Sequence, residues 1–163
     1  MTPDPVTPGP ITPQAAAHRL ASFEVASVPG NEREVLDRVA RAVAGQLPPE
    51  RLDRLKTAVA EATLNAIEHG HGSRPDLAVG VEVTRQADEL VVAITDHGPA
   101  RSGAGDAWPP ECPEEPDLTR KLAGEQSPRG WGLFLIRHMV DAMDVVTKDG
   151  RHIVRLSMRA GGA

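Results

Sequence analysis

Glu61-Ala-Thr-Leu-Asn65-Ala-Ile-Glu-His69-Gly70 carries a carboxylate, an amide and an imidazole at intervals of four residues. Residues four apart on an α-helix are neighbours, with about 5–6 Å between their Cβ atoms, so consecutive members of this trio share a face. Leu52, Leu55, Val59, Ala62 and Ile67 supply much of the apolar surface of the same helix. It begins near Pro49 or Glu50, because proline suits the first helical position, and Gly70 is its natural stop.

Upstream, Leu47-Pro-Pro49 interrupts an earlier helix. Asn31 with Glu34 three residues on reads as a capping box. Val35, Leu36, Val39, Ala40 and Val43 then form one stripe. Before it, Ser22–Ser27 is a short strand candidate closed by the Pro29-Gly30 turn. Residues 1–14 hold prolines at 3, 5, 8, 10 and 13 and read as a disordered tail, since proline breaks both helix and sheet interior.

Downstream, Leu77, Val79, Val81 and Val83 alternate with less apolar neighbours, which predicts a strand with one buried face. Asp88-Glu89 suggests a tight hairpin into Leu90–Thr95, a strand apolar enough to be central. Residues 99–129 hold six prolines and six acidic residues and lack periodicity. A stretch this long in a compact domain reads as a lid or an insert. Leu133, Ile136, Val140 and Met143 mark a further helix entered through Gly130 and Gly132. Val145-Val146 and Ile153–Leu156 form a closing hairpin around Asp149-Gly150. The order strand, helix, helix, strand, strand, lid, helix, strand, strand predicts an α+β fold. It would be a two-layer α/β sandwich whose mixed, mostly antiparallel sheet is covered by helices on one face. Residues 15–160 form the single domain.

The chain has 163 residues, 40% of them apolar but only 2% aromatic, so its core must be built from Val, Leu, Ile, Ala and Met. Its net charge is -5 and no basic stripe appears, which argues against a nucleic-acid partner. No apolar run is long enough to span a bilayer, and the N-terminus lacks the pattern of a signal peptide. The lone Cys112 cannot form an internal disulfide, which suits a reducing compartment. A cytoplasmic protein is the expectation.

Three segments bear chemistry. On the helix, one amide oxygen at Asn65 is enough protein input for a Mg2+ ion that keeps its waters and takes phosphate oxygens. Glu61, one turn away, can accept a proton from an attacking hydroxyl. An ordinary polar helix face explains glutamate equally well, but Asn competes with the backbone inside a helix and is costly there. At the end of the apolar strand, the Asp96 carboxylate can accept a hydrogen bond from an exocyclic amine, and Gly98 would let a flat ring lie close to the backbone. A plain strand-end turn is the other reading of Asp96-His-Gly98. At the third segment, Arg129-Gly130-Trp-Gly132-Leu133, free N–H groups of a helix start attract phosphate. It is neither a Walker motif nor a dinucleotide fingerprint.

In this order and spacing the segments resemble the three nucleotide boxes of the ATP-binding fold of histidine kinases, gyrase and MutL, the Bergerat fold. Within that superfamily, residues 20–158 most resemble the small bacterial anti-sigma-factor serine/threonine kinases. The resemblance implies that Glu61 is catalytic, as general base or orienting group. It implies that Asn65 binds Mg2+, that Asp96 recognises adenine and that Gly130 and Gly132 hold the phosphates. The nucleotide-binding set drawn from the boxes is Asn65, His69, Asp96, Gly98, Arg129, Gly130, Gly132 and Leu133, with ATP and Mg2+ as cofactors. The implied substrate is a Ser or Thr of a small anti-anti-sigma protein. The other implied partner is a sigma factor, and many family members are homodimers. A non-catalytic ATP- or ADP-binding regulator of the same fold, or a nucleotide-free one, is the alternative. The chain has Glu68 where members of the broader superfamily often have lysine and the small kinases vary, and it lacks the second glycine common after Asp96-His-Gly98. It also has Arg151-His152 where a Gly-Thr pair is common.

Overall fold

The computed structural model describes residues 16–97 and 129–161, without the side chains of residues 129–133. The Pro-rich tail, Gly98, the rest of the expected lid up to residue 128 and Cys112 lie outside the described residues.

Strand β1 (His18–Ala26) leads into α1 (Glu32–Ala42) and α2 (Pro49–Asn65), and a π-helical turn (Ala66–Gly70) continues α2. Then come β2 (Ala78–Gln86), β3 (Glu89–Asp96), α3 (Arg129–Met139), β4 (Ala142–Lys148) and β5 (Arg151–Arg159). The five strands lie in the order β1-β2-β3-β5-β4. All four pairings are antiparallel, so the expected mixed character is absent among the described strands. Two short hairpins, β2–β3 and β4–β5, account for half of the pairings. At the second, Asp149 and Gly150 both have positive φ, the geometry of the two-residue turns that match strand twist.

Period-two patterning sets the register. Val79, Val81, Val83, Leu90, Val92, Ile94, Leu156 and Met158 are all buried. Cross-strand partners such as Val81–Ile94, Val92–Leu156 and Leu90–Met158 put them on one face of the sheet. That face meets Val35 and Val39 of α1, Leu55, Ala58, Val59 and Ala62 of α2 and Ile136 of α3 in one core. Each fully buried branched side chain contributes about 1.5–3 kcal/mol relative to exposure, so a core without large aromatics is sufficient. β3, the strand expected to be central, is third of five.

Three local expectations need correction. The capping box at Asn31 does not form: Asn31 makes no side-chain cap bond and instead donates to Ala26 O at 2.9 Å. Glu34 pairs with Arg38 one turn on. The Gly30 N–H is taken by Glu32 Oε2 at 2.7 Å, so a different acidic residue organises this helix start. Met143, assigned by periodicity to the last helix, lies in β4 opposite Leu156. Both roles need an apolar residue, and periodicity cannot separate a helix end from the strand that follows it at once. Finally, the helix carrying the polar trio does not stay α-helical to Gly70.

No described helix is long and apolar enough to cross a membrane.

Candidate nucleotide site

The last α-helical residue of α2 is Asn65. Beyond it the hydrogen bonds lengthen by one residue: the His71 N–H reaches back five positions to Ala66 O at 3.0 Å. Such π-turns cost regular packing and often sit at functional sites. Ala62, Thr63, Ala66 and Ile67 carry the buried stripe across the junction. Glu61, Asn65 and His69 are half-buried beside it, whereas Glu68 is exposed. Among the described residues none hydrogen-bonds or ion-pairs with the side chains of Glu61, Asn65 or His69.

The π-turn also explains Gly70. Its φ is not positive; the left-handed residues that turn the chain are Gly72 and Ser73. Gly70 is required for space instead, since a Cβ there would lie 2.7 Å from both Cγ and Oδ2 of Asp96. Asp96 follows Leu90, Val92 and Ile94 at intervals of two on β3, so its side chain enters the helix-facing layer, where it is 9% exposed. The π-turn therefore lays its backbone directly on the Asp96 carboxyl group. First and second segments, 26 residues apart from Gly70 to Asp96, meet at one end of the sheet. His152, at the place of the missing Gly-Thr pair, lies opposite Asp96 on β5.

A buried histidine not singled out in the sequence organises this end. His71 is 2% exposed. Its Nε2 accepts the main-chain N–H of His97 at 2.7 Å, and its Nδ1 contacts Ser27 Oγ. A neutral imidazole has one donor and one acceptor nitrogen. Because Nε2 accepts, the proton resides on Nδ1 and Ser27 Oγ accepts it. Burial lowers the His71 pKa from its ordinary 6.5, with His97 and Arg74 working in the same direction and Asp96 and Asp76 against them. Ser27 is fully buried, and its N–H donates to Leu77 O at 2.9 Å. Ends of β1 and β3 and the start of β2 are thus tied to the residue after the π-turn. The only sequence signal was a histidine one residue beyond His69-Gly70; its partners are 44 and 26 positions away.

The third segment enters through α3. The Arg54 guanidinium donates to His138 O at 2.6 Å, which anchors the C-terminal end of α3 beside the first turns of α2. α3 packs along α2, so its other end, with Arg129, Gly130, Gly132 and Leu133, runs toward the end of the molecule that holds Asn65 and Asp96. Eleven residues at 1.5 Å each make this helix about 16 Å long. Among the described residues no three His, Cys, Asp or Glu side chains converge on a metal position. Among the described residues, the half-buried Asn65 amide offers an oxygen of the kind that suits a magnesium ion, which keeps its waters and takes phosphate oxygens.

Comparison with known proteins identifies the family of the chain. Residues 25–158 match the histidine kinase-like ATPase domain. The chain is 32% identical over 126 residues to an anti-sigma F factor of Clostridium beijerinckii, covering 76% of this chain and 82% of that protein. It is 31% identical over 128 residues to the anti-sigma F factor of Oceanobacillus iheyensis, covering 77% and 82%. The solved structure of the RsbU and RsbW domains of Rv1364c from Mycobacterium tuberculosis shares the fold. Its TM-score is 0.53 at 14% identity, over 85% of this chain and 32% of that one. The chain belongs to the histidine kinase-like ATPase domain family, among relatives called anti-sigma F factors.

Proposed function

We propose that this protein is an ATP-dependent serine/threonine protein kinase and anti-sigma factor. The observation that carries the reading is the junction of Gly70 with Asp96, which joins two of the three nucleotide segments at one end of the sheet. The family match over residues 25–158 and the names of the relatives support it.

Asp96 would accept the exocyclic amine of adenine, with Gly98 two residues further along the chain. Asn65 and His69 on the helix above, and Arg129, Gly130, Gly132 and Leu133 at the start of α3, would surround the phosphates. The N–H groups of a helix start favour anions there. Bound ATP would supply the phosphoryl group, and Mg2+ held at Asn65 would offset its charge. Glu61, one helical turn before Asn65, would take the proton of the attacking hydroxyl. Alignment and charge neutralisation are most of what phosphoryl transfer requires.

The substrate hydroxyl would belong to a Ser or Thr of a small anti-anti-sigma protein. Its phosphorylation would leave this protein able to hold a sigma factor. A homodimer and a cytoplasmic location accompany the reading.

Titration calorimetry with ATP, with and without Mg2+, is the first test. Micromolar binding that strengthens with Mg2+ is expected, and Asn65→Ala should remove the Mg2+ dependence. Phosphotransfer to an anti-anti-sigma protein should then fall by about 10²–10⁴-fold in Glu61→Gln while ATP affinity persists. Equal transfer by both proteins would remove Glu61 from the mechanism. ATP binding without transfer by the wild type would leave a nucleotide-binding regulator, and no binding a nucleotide-free one.

A further inference from the structure

The Ser27–His71–His97 connection is absent from the expected nucleotide set, yet it borders that set on two sides. His71 directly follows Gly70, whose backbone lies on the Asp96 carboxyl, and its ring holds the N–H of the residue directly after Asp96. Asp96 therefore has one neighbour in the chain clamped by His71 and its side chain confined by the turn that ends at His71.

We propose that His71 is the positioning residue for base recognition. Its neutral ring, braced by Ser27, would hold the Asp96–His97 main chain so that the Asp96 carboxylate meets the amine of adenine. This inference rests on the reading of Asp96 as the adenine acceptor. A base with a carbonyl in place of that amine, as in guanine, presents no donor to the carboxylate there, so the aim of Asp96 decides which purine is preferred. A site that hydrogen-bonds a particular group discriminates strongly against its absence.

The connection works only with a neutral ring. An imidazolium carries hydrogen on both nitrogens, so Nε2 would oppose the His97 N–H instead of accepting it. The charged groups that face the ring are Asp96 and His97 at the end of β3 and Arg74 and Asp76 in its own loop; Ser27 from β1 is uncharged. Burial with His97 and Arg74 outweighs the two carboxylates and keeps the ring neutral at pH 7. Purine discrimination is then expected to be constant above pH 6.5 and to decay as the solution becomes more acidic.

The test is the ratio of ATP to GTP affinity, measured by calorimetry with Mg2+ on the full chain well below its melting temperature. His71→Leu should lower ATP affinity by roughly three- to tenfold, the equivalent of one lost hydrogen bond, and leave GTP affinity unchanged. His71→Gln, which offers an acceptor and a donor, should recover part of the ratio and remove its decay at acidic pH. Ser27→Ala, a milder change if His71→Leu fails to fold, should lower the ratio in the same direction. An unchanged ratio in folded His71→Leu or Ser27→Ala overturns the positioning role and leaves the adenine reading intact. A wild-type protein that binds both nucleotides equally, or neither, removes the adenine reading itself and the positioning role with it. A purely structural histidine would lower the melting temperature without altering the ratio.

Discussion

The two ends of the sheet use their polar residues in opposite ways. At the end that holds Arg51, Asp141 and Arg159, charges are matched. The Asp141 carboxylate accepts from the Arg51 guanidinium and, at 2.8 Å, from the Arg159 N–H, and Arg51 also reaches Arg159 O at 3.2 Å. Arg54 bonds His138 O at the C-terminus of α3 beside them. At the other end, a neutral histidine clamps backbone while Glu61 and Asn65 keep their side chains without protein partners among the described residues. Paired charges join elements and stabilise them; half-buried groups with unmet hydrogen-bonding capacity suit a ligand that will meet it. The same α2 serves both, with its first turns in the first role and its last turns in the second.

The largest test of this contrast is Gly70→Ala. In an ordinary helix the change would stabilise by roughly 1 kcal/mol. Here the new methyl group would intrude on the Asp96 carboxyl, and overpacking costs about 1–3 kcal/mol. The expected result is a lower melting temperature together with at least about a tenfold loss of ATP affinity, as Asp96 is displaced. A protein that is more stable and binds ATP normally would show that Gly70 and Asp96 do not form one site.

Asp141→Asn should do the reverse. It removes the charge from a partly exposed cluster, so a stability loss of about 1–2 kcal/mol by chemical denaturation is expected, with ATP affinity unchanged. A loss of affinity would mean that the two ends are coupled through α2.

The smallest effects are those of pH. Burial alone would raise the pKa of Asp141, but the Arg159 N–H and Arg51 hold it below its ordinary 3.8. That contribution is complete above pH 3.8 and lost as pH falls through the lower folded value. His71 also titrates lower when folded, so its neutral form contributes fully above pH 6.5. That contribution declines as pH falls from 6.5 to the folded value, because the unfolded chain binds the extra proton in this window. Melting curves between pH 7.5 and 5.5 should therefore decline in the wild type and decline less in His71→Gln. Identical slopes would remove His71 as the titrating group.

Much of the fold was legible because it rests on repeated patterns. Alternation from Leu77 to Val83, the apolar run Leu90–Thr95, proline at the start of α2 and Asp149-Gly150 in the last hairpin each state a local preference that the core then reinforces. The misreadings fell where one local preference competed with another. Glu32 displaced Glu34 at the start of α1, and Met143 suited a helix end and a strand equally. The polar residues of the candidate site were visible as three segments, but nothing in their spacing indicated which backbone atoms would touch.

The sequence by itself determined the two-layer α/β architecture with a mostly antiparallel sheet and singled out the polar residues proposed to carry chemistry, because hydrophobic periodicity and residue type are local properties of the chain. Only the tertiary structure decided that α2 ends in a π-turn, that Gly70 is glycine to make room for Asp96, and that His71 is neutral with its proton on Nδ1. The last two depend on groups brought together from distant positions, where packing and hydrogen-bond geometry set the outcome.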